Sequence, residues 1–202
     1  MGAPLPRRRG ASAPAGPGLG AVRIIAGSRK GARIFAPKGL DTRPTADRVR
    51  EAAFNLLGAG AAEDATVLDL FAGSGAMGLE ALSRGAAHAT FVENDREACR
   101  TINRNLDKLG LEGATVLCQE ALTALRTDVR QGTRYDLVLV DPPYRRFSSL
   151  QNALIQHLPE ILATDGTLLV ETSADAEEPE LPLAKLTSRR YGAARLTLFE
   201  HE

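Results

Sequence analysis

The chain has 202 residues, with 25 basic and 25 acidic side chains, so its formal net charge is zero. That length suits one domain with at most an appendage, and it buries enough surface to fold without disulfide or metal staples. Cys99 and Cys118 form no C-x-x-C pair, which fits a reducing, cytoplasmic setting, and no apolar run approaches the roughly 18 residues that span a membrane.

The charge is unevenly spread. Residues 1–40 hold eight Lys or Arg and no acid, which leaves 17 basic against 25 acidic residues in 41–202, a net of −8. An acidic body with a basic N-terminal end points to a nucleic-acid-facing arm. Residues 1–20 are mostly Gly, Ala and Pro with three arginines. They have little to bury and read as a disordered, solvated tail, with organelle targeting as the lesser reading.

Residues 21–58 form an N-terminal extension. "VRIIAGSRKGARIFAP" reads as two short strands around a Gly-containing turn, a basic hairpin that presents Arg29 and Lys30. "RPTADRVREAAFNLLG" reads as a helix, with Thr45 as candidate N-cap and Gly58 as its stop. Val49, Ala52, Ala53 and Leu56 repeat at helical spacing and give it one apolar face.

Residues 59–202 read as one larger α/β unit. The strand-like runs are "TVLDLF", "ATFVE", "ATVLC", "YDLVLV" and "TLLVE". Helical patterns lie between them: "GLEALSRG", "REACRTINRNLDKLG", "ALTALR" and "SLQNALIQHLPEILA". Apolar strands alternating with helices predict a mostly parallel sheet covered on both faces. At the end, "LAKLTSRRYGAARLTLFEH" places two strand-like runs around Gly192 without a helix, an antiparallel hairpin.

In such a sheet, ligands bind beyond the carboxyl ends of the strands. "LDLFAGSGAMG" runs from a strand through a Gly-rich turn into a helix, with Asp69 at the strand end. Gly73 and Gly75 permit close backbone approach, and with Gly78 they spell G-x-G-x-x-G, which alone signals either NAD or a tight turn. Glu93 ends the second strand, 24 positions after Asp69, where an acid can accept a ribose diol. Asp95 reads as the N-cap of the next helix. Glu120 ends the third strand region, either as an acceptor for an adenine amino group or as a helix first-turn acid.

"DPPY" ends the fourth strand. Two prolines stiffen the turn and remove two donors. The Asp141 carboxylate and the carbonyl of Pro142, which precedes Pro143, make two close acceptors suited to a planar –NH₂ group. Tyr144 offers a stacking face, Arg145 and Arg146 meet phosphates, and Phe147 adds a second apolar surface. No metal-ligand cluster is apparent, and His88, His157 and His201 read as surface or structural.

Together, "RIIAGSRKGARI", "TRPTADRVREAAFNLL", "VLDLFAGSGAMGLEALSRGA", "FVEND" and "DLVLVDPPY", in this order and spacing over residues 22–200, resemble the RsmD family of bacterial 16S rRNA guanine-N2 methyltransferases. The resemblance implies a Rossmann-like class I methyltransferase fold with a seven-stranded sheet, and S-adenosylmethionine as cofactor. It implies that the turn from Asp69 through Phe71, Ala72, Gly73, Ser74 and Gly75 holds the methionine end. Glu93 with Asn94 holds the ribose, and Glu120 and Ala121 flank the adenine. Asp141, Pro142, Pro143 and Tyr144 hold the target base. Arg43 and Thr45 lie near the site mouth and join Arg29, Lys30, Arg145, Arg146 and Phe147 in facing RNA. The implied partner is 16S rRNA in the small ribosomal subunit or its assembly intermediate, met by a monomer. Rival readings are a DNA adenine-N6 or protein-glutamine methyltransferase, an NAD-dependent oxidoreductase, and a non-enzymatic RNA-binding assembly factor.

Overall fold

The computed structural model describes residues 22–37, 44–142 and 147–201, with backbone alone at 44–46 and 147–149. The tail 1–20, Arg43, Pro143, Tyr144, Arg145 and Arg146 lie outside the described residues, as do the side chains of Thr45 and Phe147. No helix among the described residues is long and apolar enough to cross a membrane.

Strands β1 (Thr66–Leu70), β2 (His88–Glu93), β3 (Ala114–Cys118), β4 (Tyr135–Val140), β5 (Leu162–Ser173), β6 (Ala184–Tyr191) and β7 (Ala194–Glu200) form one sheet in the order β3-β2-β1-β4-β5-β7-β6. The first five are parallel; β7 runs antiparallel to both β5 and β6. Helices α1 (Pro44–Leu57), α2 (Ala76–Ser83), α3 (Arg96–Leu109), α4 (Ala121–Gln131) and α5 (Phe147–Ile161) cover it.

Period-two alternation divides the core between the two faces. Val67, Leu137, Leu139, Leu169, Leu196 and Leu198 face one side, with Val49, Phe54, Leu79 and Ile102 from α1, α2 and α3. Leu68, Leu70, Val138, Val140, Leu168 and Phe199 face the other, with Leu125, Leu154 and Leu158 from α4 and α5. Strands buried on both faces must be apolar at nearly every position, which is why β1 and β4 are visible in the sequence.

The basic segment forms a short antiparallel ribbon, paired at Arg23 and Arg33 around a 3₁₀ turn at Gly27–Arg29. Val22, Ile24 and Ile34 from it join the same core as α1 to α3. Polar side chains clamp it down. The fully enclosed Glu80 on α2 accepts from the amides of Ile25 at 2.7 Å and Ala26 at 2.9 Å, and pairs with Arg84 at 2.8 Å. The Arg50 guanidinium from α1 lies 3.8 Å from Glu80 and donates to the carbonyl of Arg23. Gly27 has φ of +79°, and a Cβ there would stand 1.7 Å from the Ser83 carbonyl oxygen, so backbone meets backbone where only glycine fits.

Some boundaries differ from the sequence reading. Helix α1 begins at Pro44, so Thr45 lies inside its first turn rather than capping it. Proline suits that place, since its fixed φ is helical and its missing N–H has no partner in a first turn anyway. Helix α4 continues past Arg126 to Gln131, where Asp128 is buried and accepts from the Tyr135 hydroxyl at 3.2 Å. Asp95 caps α3 as expected, accepting from the Ala98 amide at 2.7 Å, and Gly58 ends α1 with φ of +92°.

Candidate active site

The strand order reverses between β1 and β4, and ligands of open α/β sheets sit at such a switch point. Leu70 pairs with both Val92 and Val140, so the next residues, Phe71, Glu93 and Asp141, lie at one level beyond the last paired row. The chain turns sharply there. Phe71 takes φ of +68°, a left-handed conformation uncommon outside glycine, and Gly73 and Gly75 follow at +55° and +77°. Strain of this kind persists only where surrounding structure imposes it, commonly at functional sites.

The acids of the crevice organise this turn. Asp69 is buried and accepts from the Gly78 amide at 2.8 Å, which ties β1 to the first turn of α2. Glu93 accepts from the Gly73 amide at 2.8 Å through one oxygen and from the Asp95 amide at 2.8 Å through the other. Asn94 donates to Glu120 at 2.9 Å, bridging the ends of β2 and β3. Glu120 occupies the N-cap position of α4 without a capping bond of its own, and Ala121 follows as the first helical residue.

The third glycine of the fingerprint is a packing residue. A Cβ at Gly78 would stand 2.4 Å from the buried ring of Phe91, so only glycine lets α2 close onto β2. The other end of the Gly-rich turn is held from α3. Asn105, fully enclosed, donates to the Ser74 carbonyl at 3.3 Å. The same side chain accepts from the Phe35 amide at 2.7 Å and donates to the Phe35 carbonyl at 3.0 Å. One amide thus joins the basic ribbon to the turn of the site.

Electrostatics set this crevice apart. Burial pushes the Asp69 carboxyl from an ordinary 3.8 up to about 7, against the lowering effect of its Gly78 bond. Repulsion from Asp141 and Glu93 pushes the same way, which puts the three acids within electrical reach of one another. Burial pushes Asp141 up to about 6. Asp141 is exposed just past the end of β4, and the surrounding protein still withdraws enough water to raise its carboxyl. Three repelling carboxylates, with no cation among them in the described residues, form a site shaped for a positively charged guest.

The structure brings Asp69, Phe71, Ala72, Gly73, Ser74, Gly75, Glu93, Asn94, Glu120, Ala121, Asp141 and Pro142 to the carboxyl edge of β1 to β4. Arg29 and Lys30 sit on the ribbon's 3₁₀ turn and directly after it, away from this edge, where the Arg29 guanidinium donates to the Gly110 carbonyl at 3.0 Å. Sequence reasoning missed Glu80, Asn105 and Arg50. The available signal was a charged or amide residue inside an otherwise apolar helical face.

A sheet of this order, with an antiparallel β7 between β5 and β6, departs from the parallel 3-2-1-4-5-6 order of dinucleotide-binding sheets. It is the Rossmann-like fold of class I methyltransferases. The chain belongs to the family described as conserved hypothetical protein 95, whose model matches residues 22–200, the family of ribosomal RNA small subunit methyltransferase D. The Escherichia coli protein of that name is 41% identical over 167 residues, which cover 82% of this chain and 81% of the relative. The solved structure of Escherichia coli yhhF aligns with a TM-score of 0.79 at 39% identity, covering 91% of this chain and 99% of the other. A T. thermophilus 16S rRNA N2 G1207 methyltransferase, solved with AdoMet and guanosine, shares the fold at a TM-score of 0.70 and 21% identity, covering 90% of this chain and 50% of the other.

Proposed function

We propose that the chain transfers a methyl group from S-adenosylmethionine to the exocyclic N2 of a guanine in small-subunit rRNA. The observation that carries this reading is the convergence of Asp69, Glu93 and Asp141 around the Gly-rich turn at the switch point. Relatives named as small-subunit rRNA methyltransferases support the substrate class.

The residues present fit the cofactor. When bound, it supplies an electrophilic methyl group on a sulfonium cation. Each Glu93 oxygen already accepts one backbone amide, and a carboxylate has roughly four acceptor sites, which leaves two for a ribose diol. The Asn94–Glu120 bridge closes the adenine side. The three acids favour the sulfonium charge in a site partly shielded from water.

For the target base, the Asp141 carboxylate and the Pro142 carbonyl accept the two amine hydrogens. A guanine N2 is a poor nucleophile because its lone pair is delocalised into the ring. Hydrogen bonding from both hydrogens favours a more tetrahedral nitrogen with its lone pair aimed for in-line transfer. The catalytic contribution is positioning and electrostatic stabilisation, without a covalent enzyme intermediate. Asp141, raised to about 6, is a better proton acceptor near neutral pH than an ordinary carboxylate. It takes the proton that N2 loses after transfer. The guanine must be unpaired or flipped, and Tyr144 stacks on it. Digestion of rRNA methylated by this protein tests the reading: the product is N2-methylguanosine.

The raised carboxyl groups give this site a pH dependence with a definite sign. Well below 6, Asp69 and Asp141 are protonated and present little negative charge; Asp141 is half ionised at about 6 and Asp69 at about 7. Affinity for a sulfonium therefore rises with pH across that window, by on the order of tenfold. Calorimetric titration with S-adenosylmethionine at constant ionic strength checks it. The series stops below the α-amino pKa of roughly 7.7, where the ligand's own charge changes. A flat profile, or weaker binding as pH rises, contradicts the acidic-crevice account.

A further inference from the structure

The exposed face of α3 carries cations that the site does not use. Arg96, Arg100, Arg104 and Lys108 recur every four residues, and all four are exposed. On a helix that spacing makes one slanted ridge, rising ~6 Å per step and about 18 Å in all. Glu97 and Asp107 share the exposed arc, yet among the described residues neither lies within ion-pair distance of any of the four.

The lower end of the ridge is organised by an aromatic ring. Phe35 is 39% exposed, unusual for a large apolar residue in this molecule. The Arg104 guanidinium and the Lys108 ammonium each lie 4.4 Å from its ring centroid. Asn105 fixes its backbone from the buried side of α3 through two hydrogen bonds. The upper end adjoins the site, since Arg96 follows the N-cap Asp95, whose amide donates to Glu93. Beyond the lower end, Arg29 of the basic ribbon reaches Gly110, the C-cap of α3.

We infer that the ridge Arg96–Arg100–Arg104–Lys108, with Phe35, is an RNA-docking track that continues the basic ribbon up to the mouth of the cleft. The inference rests on the proposed RNA substrate and adds the surface that grips it. Evenly spaced cations with no ion-pair partner among the described residues, on an otherwise acidic body, suit a phosphate backbone. An exposed ring suits unstacked bases, and a guanidinium plane stacks on them as well. A membrane partner is not favoured, because the ridge lacks the apolar face that an interfacial helix would insert.

The test replaces all four residues with Gln and measures binding of naked 16S rRNA across a salt titration. All four side chains are exposed, and Arg104 and Lys108 lie over the Phe35 ring, so the thermal midpoint should stay within ~2 °C of wild type. The slope of log affinity against log salt should fall by about 3, and affinity at moderate salt by about tenfold or more. KM for small-subunit rRNA rises with it, while kcat at saturating RNA changes less than about twofold. Equal affinity and equal slope overturn the inference. If the quadruple variant loses its fold, Arg96→Gln and Arg100→Gln carry the test singly, each lowering the slope by about one. Wild-type binding that the variant loses, without methyl transfer to rRNA, leaves the track standing and removes the proposed function. Equal methyl transfer by both proteins at rRNA concentrations well below KM removes the track and leaves the function.

Discussion

Asp141→Ala lowers kcat for methyl transfer by about 10³-fold or more, while the protein keeps its fold and still binds its cofactor, weakened by no more than about tenfold. The magnitude is that of removing a positioned acceptor and base together. Two observations set the expectation. Asp141 lies just past the end of β4, at one level with Glu93 and the strained Phe71. Its charge is felt at Asp69, so it projects over the same ground as the cofactor-side acids. Nothing in the core depends on Asp141, because it follows the last residue of β4 and is exposed to solvent. Removing it also relieves repulsion at Asp69, whose pKa should fall. Single-turnover kinetics with saturating S-adenosylmethionine and rRNA measures the effect. A kcat within about tenfold of wild type would remove Asp141 from the reaction.

The largest expected effect on stability is at Glu80. Glu80→Leu should cost about 3–5 kcal/mol, the typical result of breaking a buried ion pair by deleting one partner. The carboxylate accepts from two ribbon amides and neutralises Arg84, with Arg50 close by. A leucine leaves the amides of Ile25 and Ala26 without acceptors and strands two guanidinium groups against an apolar face. For a chain of this size the thermal midpoint falls by ~10 °C. The loss is local in origin, so hydrogen exchange at Ile25 and Ala26 accelerates before exchange in β1 and β4 does. Scanning calorimetry with hydrogen exchange checks both points. A midpoint within ~2 °C of wild type would mean that the ribbon is held by its apolar contacts alone.

Glu80 also shows what the sequence withholds. Its partners lie 54 and 55 residues away, and no local pattern encodes a bond of that span. Asn105 is the same case, joined to Phe35 across 70 residues and to Ser74 across 31. Both sit on helices whose neighbours are apolar, so the only visible trace is a polar residue where periodicity expects a hydrophobe. The strands were easier. Five runs of β-branched and aliphatic residues end at an acid or a turn, and a parallel sheet buried on both faces demands such runs. Helix α4 was read short because its last turn contains Thr127, Asp128 and Arg130, and the buried contact there is polar.

The acids of the site were legible from position alone. Asp69, Glu93, Glu120 and Asp141 each stand at or just past the carboxyl end of a recognisable strand. Their division of labour was not. Asp69 spends one oxygen on Gly78, Glu93 spends one on the Gly-rich turn and one on Asp95, and burial raises Asp141 while burial and repulsion from Asp141 and Glu93 raise Asp69. The glycine fingerprint shows the same limit. It reads as either NAD binding or a tight turn, and Gly78 serves here to admit the ring of Phe91.

The measurement that bears most directly on the account is transfer of a labelled methyl group from S-adenosylmethionine. Unmethylated small ribosomal subunits, naked 16S rRNA, large subunits and duplex DNA are offered in parallel, and the labelled nucleoside is identified. The account predicts N2-methylguanosine in small-subunit rRNA, lost in Asp141→Ala. Label confined to DNA or protein, or no label on any substrate, contradicts it.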